Sequence, residues 1–249
     1  MRNWIYRFIR NTLLILCRKQ GFKTIISSVS YELENQNKRK PNAVVLERYL
    51  NPEIGGYAHA APLTGRDLDT LRFSLVKDYI IENRMSAVEI GCAGGDLLGQ
   101  LATELPDKNY TGIDFNVDFA KQNFKIKHDK PLTNLEFISG YFLETELPKS
   151  DAAILVSTAS CFLPLELSAT FEKIKNSEIK TIIISEPWWW RQPLSASDTS
   201  TNSTHAKYVC WNHAYPGLLK KAGYSITHFE KTVEKSNAER LFIVATQAS

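Results

Sequence analysis

The chain has 249 residues, of which 43% are hydrophobic and 23% charged, which is ample for one packed core and too short for two large domains. Its formal net charge of +3 is uneven, because residues 1–40 hold nine Lys or Arg against two Glu and leave the remainder mildly acidic; this argues against a nucleic-acid substrate held in a basic cleft. The four cysteines have no C-x-x-C spacing, which indicates reduced thiols in a cytoplasmic protein and excludes a zinc site of that kind.

Residues 1–30 are predicted to form a basic amphipathic helix. Aromatic and aliphatic side chains share one side of a helical wheel, and Arg7 and Arg10 lie on the other. The longest uncharged run, residues 11–17, is far shorter than the roughly 20 residues that a membrane-spanning helix needs. Two interpretations remain: residues 1–20 contact the inner membrane face peripherally, or the apolar side packs on protein.

Residues 31–66 are interpreted as a linker and a cap loop. A polar stretch over residues 32–42 comes first, and a turn-rich segment with Gly55 and Gly56 follows it. Residues 67–249 then form a single domain, which opens with a helix predicted over residues 67–83.

The strongest motif follows this helix. An apolar run over residues 87–90 stops at a glycine cluster, and helical spacing of leucines resumes from Leu97 to Leu101, which predicts a strand, a tight turn and a helix. A second apolar run ends at Asp114, nineteen residues after Gly95. Glycines let a backbone approach a ligand at a helix N-terminus, and a carboxylate at the neighbouring strand tip can bind ribose hydroxyls. The spacing therefore predicts a nucleotide site.

The loop itself narrows the choice of ligand. A dinucleotide site needs G-x-G-x-x-G, whereas Ala93 stands at the third position here. Glu89 before the loop and Asp96 after it would repel phosphates, but they suit a ligand with an ammonium and a sulfonium group, as in S-adenosylmethionine. Residues 88–95 resemble the first motif of class I S-adenosylmethionine-dependent methyltransferases, and residues 112–114 resemble the second. Ala93 departs from the usual G-x-G-x-G loop of that family.

Strands and helices continue to alternate after the second motif. Strands are predicted near residues 135–139, 152–156, 181–185, 225–231 and 241–246, and helices near residues 117–126, 165–175 and 213–222. Only a polar turn separates the last two strands, so they should pair antiparallel. The predicted fold is α/β, a Rossmann-like seven-stranded sheet that is mostly parallel, with a C-terminal antiparallel hairpin and helices on both faces. The resemblance implies the same architecture.

The resemblance also implies an S-adenosylmethionine site at the carboxyl ends of the strands. The methionine part would lie against Glu89 and the glycine loop, Asp114 would bind the ribose, and Phe115 would pack on the adenine. Tyr141 stands where the family usually offers an acid to the adenine amine. The residues implied in cofactor binding are Glu89, Gly91, Cys92, Ala93, Gly94, Gly95, Asp114, Phe115, Tyr141 and Ser157.

Aromatic residues after the fifth strand indicate a site for the acceptor. Trp188, Trp189 and Trp190 precede a Ser/Thr-rich loop over residues 195–204, and Tyr208 follows it. Exposed aromatic faces stack on sugar rings or apolar acceptors, and long loops after a strand often cover a substrate. The alternative is that at least one of the tryptophans fills the core.

A hydroxyl acceptor needs a base to take its proton. His213 is the first candidate and His205 the second, and Glu186 is the carboxylate that would orient either one. A capping or surface role for His213 is the alternative. No metal site is predicted, because no cluster of histidines and carboxylates stands at ligand spacing.

The predicted activity is methyl transfer from S-adenosylmethionine to a small molecule. Residues 211–224 resemble a stretch of bacterial methyltransferases of glycan and secondary-metabolite clusters, which favours O-methylation of a sugar or a glycolipid. The alternatives are N- or C-methylation of another small metabolite, or a non-catalytic scaffold that binds S-adenosylmethionine. A cytoplasmic location is expected, peripheral to the inner membrane face if the first helix binds lipid. The oligomeric state stays open.

Overall fold

The computed structural model describes an α/β unit over most of residues 71–247. The described residues are 71–115, 117, 120–121, 132–188, 195–201, 203–207, 210–233 and 239–247. The predictions for residues 1–66, for Trp189, Trp190 and Tyr208, and for most of the helix over residues 117–126 lie outside these residues.

Four helices and nine strands make up the described elements. The helices are α1 (Leu71–Glu82), α2 (Asp96–Glu104), α3 (Pro164–Asn176) and α4 (Tyr215–Lys221). The strands are β1 (Ala87–Ile90), β2 (Tyr110–Asp114), β3 (Leu135–Ser139), β4 (Ala152–Val156), β5 (Thr181–Trp188), β6 (Ser203–Lys207), β7 (Cys210–His213), β8 (Tyr224–Val233) and β9 (Glu239–Gln247). A short 3-10 turn, Ala159–Cys161, follows β4.

Seven of the strands form one sheet in the order β3-β2-β1-β4-β5-β9-β8. The first five are parallel, and β9 pairs antiparallel with both β5 and β8. This confirms the predicted seven-stranded sheet with its antiparallel C-terminal hairpin. Because β1 and β2 stand side by side in register, Ile90 lies opposite Ile113, and the glycine loop and Asp114 meet at one edge of the sheet.

Helices cover both faces of this sheet, which explains why its central strands are apolar throughout. In β4, Ile154 and Val156 belong to the hydrophobic cluster that includes α1 and α2. Leu155, between them, belongs to the cluster on the other face, which includes α3 and α4. Side chains of a strand point alternately to the two faces, so each face receives every second residue.

The structure differs from the prediction between β5 and β8. A second sheet of two strands, β6 and β7, stands where a loop was predicted. His213 ends β7, and the helix predicted over residues 213–222 begins only at Tyr215, because Pro216 occupies its first turn. Local periodicity did not reveal the short ribbon, whose strands are defined by pairing with each other.

Candidate active site

The glycine loop folds tightly over the end of β1. The N–H groups of Gly91 and Cys92 donate to the Ile113 carbonyl at 2.8 and 3.3 Å. Gly91 has φ +76°, and a Cβ on it would lie 2.5 Å from Cγ2 and Oγ1 of Thr158. A side chain cannot be accommodated at Gly91, because Thr158 fills the space and the backbone is in the left-handed region.

Asp114 binds the loop directly. Its carboxylate is buried at the end of β2, and Oδ2 accepts a hydrogen bond from the Ala93 N–H at 2.9 Å. The Gly140 N–H donates to the Asp114 carbonyl at 2.9 Å, which fixes the start of the segment after β3. The loop and the acid that the sequence placed at one site are therefore in contact.

Three carboxylates surround the loop and make it attractive to a cation. Glu89 is buried beneath the loop, and its Oε2 has no hydrogen-bond partner. Its pKa is raised well above the usual value, mainly by burial and further by the negative charges of Asp114 and Asp96. A bound positive charge would satisfy the buried oxygen and relieve the repulsion between the carboxylates.

An aromatic pair lies beside Asp114. The rings of Phe115 and Tyr141 are stacked, with centroids 5.7 Å apart and planes 9° from parallel. The Tyr141 hydroxyl donates to Oε1 of Glu166 at 3.1 Å, and Oε2 of Glu166 accepts from the Leu163 N–H at 2.7 Å. Burial raises the pKa of Glu166 to about 7. Sequence reasoning missed Glu166, although its place in the first turn of a predicted helix is typical of a capping acid.

Ser157 directly follows β4 and has a strained conformation. Its φ is +53°, which is in the left-handed region that non-glycine residues rarely adopt. The Ser157 N–H donates to the Ser185 carbonyl at 2.9 Å, and Arg240 donates from Nη1 to Ser157 Oγ at 3.3 Å. Arg240 was not singled out from the sequence, because it comes from β9 at the far end of the chain.

Glu186 holds the backbone that follows Ser157. Its Oε1 accepts from the N–H groups of Thr158 and Ala159, both at 2.7 Å, and its Oε2 accepts from that of Ser160 at 3.3 Å. Burial raises its pKa to about 7, although these hydrogen bonds and the Arg240 charge act in the opposite direction. The hydrogen bonds that Glu186 accepts thus come from this turn rather than from a histidine.

His213 is completely buried, and both of its ring nitrogens are hydrogen-bonded. Nε2 lies 3.1 Å from the Phe162 carbonyl, which can only accept, so Nε2 carries the proton. Ser203 Oγ lies 2.7 Å from Nδ1 and is then the donor to it. Burial lowers the pKa of His213 to about 3, so the ring is neutral near pH 7. Ser203 was missed by sequence reasoning, and the side chain of His205 lies outside the described residues.

Trp188 is part of the core. Only 7% of it is exposed, and it belongs to the cluster that contains Leu218 and Leu241. Of the three tryptophans predicted to lie at the acceptor site, Trp188 therefore fills the interior. The reason is that β5 continues to Trp188 by pairing with Glu239 of β9.

The described part of the chain has neither a metal-binding cluster nor a membrane-spanning helix. No group of three histidines, cysteines or acids there could hold a metal ion. None of the described helices is long and apolar enough to cross a bilayer.

Comparisons with known proteins agree with this geometry. Residues 81–242 match the model of a family described as a methyltransferase domain. The fold is similar to that of magnesium protoporphyrin IX methyltransferase from Synechocystis, crystallised with S-adenosylhomocysteine, with a TM-score of 0.62 and 14% identity over 83% of this chain and 100% of that one. It is also similar to 1,6-didemethyltoxoflavin-N1-methyltransferase from Burkholderia thailandensis, with a TM-score of 0.57 and 12% identity over 77% of this chain and 86% of that one.

One curated protein aligns with the chain over a long stretch. It is peptide chain release factor 1 of Mesoplasma florum, at 25% identity over 224 residues that cover 73% of this chain. The chain spans 61% of the length of that protein. This identity and coverage are too low to transfer an activity.

Proposed function

The chain belongs to the class I S-adenosylmethionine-dependent methyltransferases, and we propose that it methylates a small molecule. The observation that carries the proposal is the loop of residues 91–95, bound to Asp114 and surrounded by carboxylates. When bound, S-adenosylmethionine supplies a methyl group activated by a sulfonium. The unpartnered buried oxygen of Glu89 fits the positive charge of this ligand, and Asp114 fits its ribose hydroxyls.

The remaining cofactor contacts are proposed from the same edge of the sheet. The backbone of residues 91–95 would face the methionine part, and Phe115 and Tyr141 would face the adenine. Aromatic rings offer a flat apolar surface that stacks on a base. Tyr141 directs its hydroxyl to Glu166, so it provides a ring at the place where relatives usually offer an acid.

We propose that the acceptor is a hydroxyl group of a sugar or a glycolipid. Methyl transfer is an in-line displacement that depends on alignment, and a hydroxyl acceptor must also lose its proton. Since Ser203 donates to Nδ1 of His213, a proton could reach the imidazole through the Ser203 hydroxyl. The aromatic segment after β5, the basic residues 1–20 and the resemblance of residues 211–224 support this acceptor class.

N-methylation is the second candidate, and the burial of His213 favours it. An imidazole whose pKa is lowered to about 3 is a weak base, whereas a neutral nitrogen nucleophile needs no base before it attacks. The toxoflavin enzyme of similar fold is named as an N1-methyltransferase. Methyl-acceptor screening that measures S-adenosylhomocysteine released with hydroxylated sugars and with amines distinguishes the two candidates, because turnover with amines alone would exclude O-methylation.

Cofactor binding is tested by calorimetric titration of the full chain with S-adenosylmethionine, S-adenosylhomocysteine and NAD. We expect micromolar binding of the first two, lost in Asp114→Ala because the loop and the ribose then lack their carboxylate. Asp107→Ala is the matched control, since Asp107 is an exposed partner of Arg84. Binding of NAD alone would contradict the proposal.

Peripheral membrane contact through residues 1–20 is a separate proposal, based on the basic amphipathic pattern. Flotation with anionic liposomes should carry the full chain but not a chain that begins at Ser30. Equal flotation of the two would exclude the lipid contact.

A further inference from the structure

We propose that Glu186 is a positioning residue for the cofactor loop. Together with Arg240 it holds the turn of residues 158–162 against residues 91–95, and this sets the affinity for the cofactor. The inference assigns Glu186 a role different from that of a partner to a catalytic histidine. It rests on the proposed function only for the identity of the ligand used in the binding test.

The carboxylate of Glu186 is fully engaged with the turn. Three successive backbone N–H groups, those of Thr158, Ala159 and Ser160, converge on its two oxygens, and the side chain is completely buried. Hydrogen bonds from a donor to a charged acceptor are stronger than those between neutral groups, especially away from water. The start of the turn is therefore held by this side chain from β5.

The turn is in contact with the loop. Thr158 Oγ1 lies 3.3 Å from the Gly91 carbonyl and 3.2 Å from the Val156 carbonyl, and it can donate its proton to either. The space in which a Cβ of Gly91 would stand is filled by the Thr158 side chain, at 2.5 Å. A shift of the turn would thus move Thr158 away from Gly91 and release one side of the loop.

Arg240 supplies the charge that balances Glu186. It is buried, and its Nη1 donates to the Ser185 carbonyl at 3.0 Å and to Ser157 Oγ at 3.3 Å. These contacts place the guanidinium between Ser157, which directly precedes the turn, and Ser185 of β5, next to Glu186. A buried carboxylate is tolerated only where hydrogen bonds and an opposite charge compensate it, and the turn and Arg240 provide both.

The other end of the turn is held by a second buried side chain. The Nε2–H of His213 donates to the Phe162 carbonyl at 3.1 Å. Glu186 accepts from the N–H groups at the start of the turn, and His213 donates to a carbonyl at its end. His213, the predicted base, and Glu186, the carboxylate predicted to orient it, are thus linked through the backbone of the turn.

The test is calorimetric titration of Glu186→Gln with S-adenosylhomocysteine, alongside its melting temperature. The amide turns one acceptor into a donor that faces backbone N–H groups, so we expect the dissociation constant to rise about tenfold or more. Asp151→Asn is the matched control, because Asp151 accepts from the N–H and Oγ of Ser86 at the opposite edge of the sheet. For a similar loss of melting temperature, Asp151→Asn should change the affinity for S-adenosylhomocysteine by less than about twofold. Equal affinity losses in the two variants would overturn the inference.

A second variant decides the case in which Glu186→Gln does not fold. Thr158→Ala keeps the buried carboxylate and removes the contact with Gly91, so it should weaken binding of S-adenosylhomocysteine and leave the melting temperature nearly unchanged. Unchanged affinity would overturn the inference.

If the wild-type chain binds no S-adenosylhomocysteine, the proposed function is wrong, and amide hydrogen exchange still tests the inference. Thr158→Ala should then speed exchange at Gly91 and Cys92, and unaltered exchange would overturn it.

Discussion

Ala93 occupies a backbone conformation that ordinarily favours glycine. Its φ is +46°, and its N–H donates to Asp114 Oδ2, so the loop needs this left-handed geometry to reach the carboxylate. A Cβ in that region is sterically strained by about 1–2 kcal/mol. The Cβ methyl group of Ala93, which departs from the family's G-x-G-x-G loop, therefore destabilises the folded state.

Ala93→Gly should raise the stability of the fold. We expect the free energy of unfolding to increase by about 0.5–1 kcal/mol, because relief of the strain exceeds the added entropy of the unfolded chain. Urea denaturation measures the change. Ala102→Gly, in α2, is the control and should lower the same free energy by a similar amount or more, since Ala102 is helical and buried. A loss in both variants would contradict the strain argument.

The short helix α4 depends on the segment that precedes β6. A helix of seven residues does not persist alone in water, and this one is anchored from outside. Lys220 Nζ donates to the carbonyls of Ala196 and Asp198 at 2.6 and 3.1 Å. Gly217 meets the backbone of Ser200 so closely that a Cβ would overlap the Ser200 carbonyl oxygen. The segment over residues 195–201 and α4 thus form one packed unit beside the ribbon that carries His213.

Gly217→Ala should destabilise this unit. The added methyl group meets backbone rather than a side chain that could rotate away, so we expect a loss of about 1–3 kcal/mol in the free energy of unfolding. Lys221→Ala, at the exposed end of the same helix, should change it by less than about 0.5 kcal/mol. Thermal and urea unfolding of the two variants measure the difference, and equal stabilities would refute the close packing of Gly217.

Burial of ionisable groups couples the stability of the whole molecule to pH. Glu166 and Glu186 have pKa values raised to about 7 by burial, and His213 has a pKa lowered to about 3. A glutamate of this kind stabilises the fold below its unfolded pKa, and the contribution is lost as pH rises toward 7. For His213 the sign is opposite, because the unfolded chain gains a proton below about pH 6.5 that the folded chain does not bind.

Urea denaturation at about pH 5.5 and 8.0 separates the two effects. The stability of wild type relative to Glu166→Gln should be greater at the lower pH by about 2 kcal/mol, since one pKa unit corresponds to about 1.4 kcal/mol. Relative to His213→Gln, wild type should instead be more stable at the higher pH. If these differences in the free energy of unfolding do not change with pH, Glu166 and His213 are not buried in their neutral forms.

The predictions from sequence succeeded where a local rule governs the structure. The parallel strands and the glycine loop could be predicted because short apolar runs that end at turn residues, followed by helix spacing, are visible within about ten residues. The contact between the loop and Asp114 followed from the register of neighbouring strands. The ribbon of β6 and β7 could not be predicted, since neither strand has a periodicity that distinguishes it from a loop.

The sequence by itself determined the elements of the seven-stranded sheet, their order and the loop with its acid, because each depends on residues that are near in the chain or in adjacent strands. Only the tertiary structure decided the partners of the buried polar side chains. Glu186 meets Thr158 from 28 positions away, His213 meets Phe162 from 51, and Arg240 meets Ser157 from 83. No local pattern records such distances, and burial then changes the chemistry of these groups. His213, predicted as a base, and Glu186, predicted to orient it, both form hydrogen bonds with the backbone of residues 158–162.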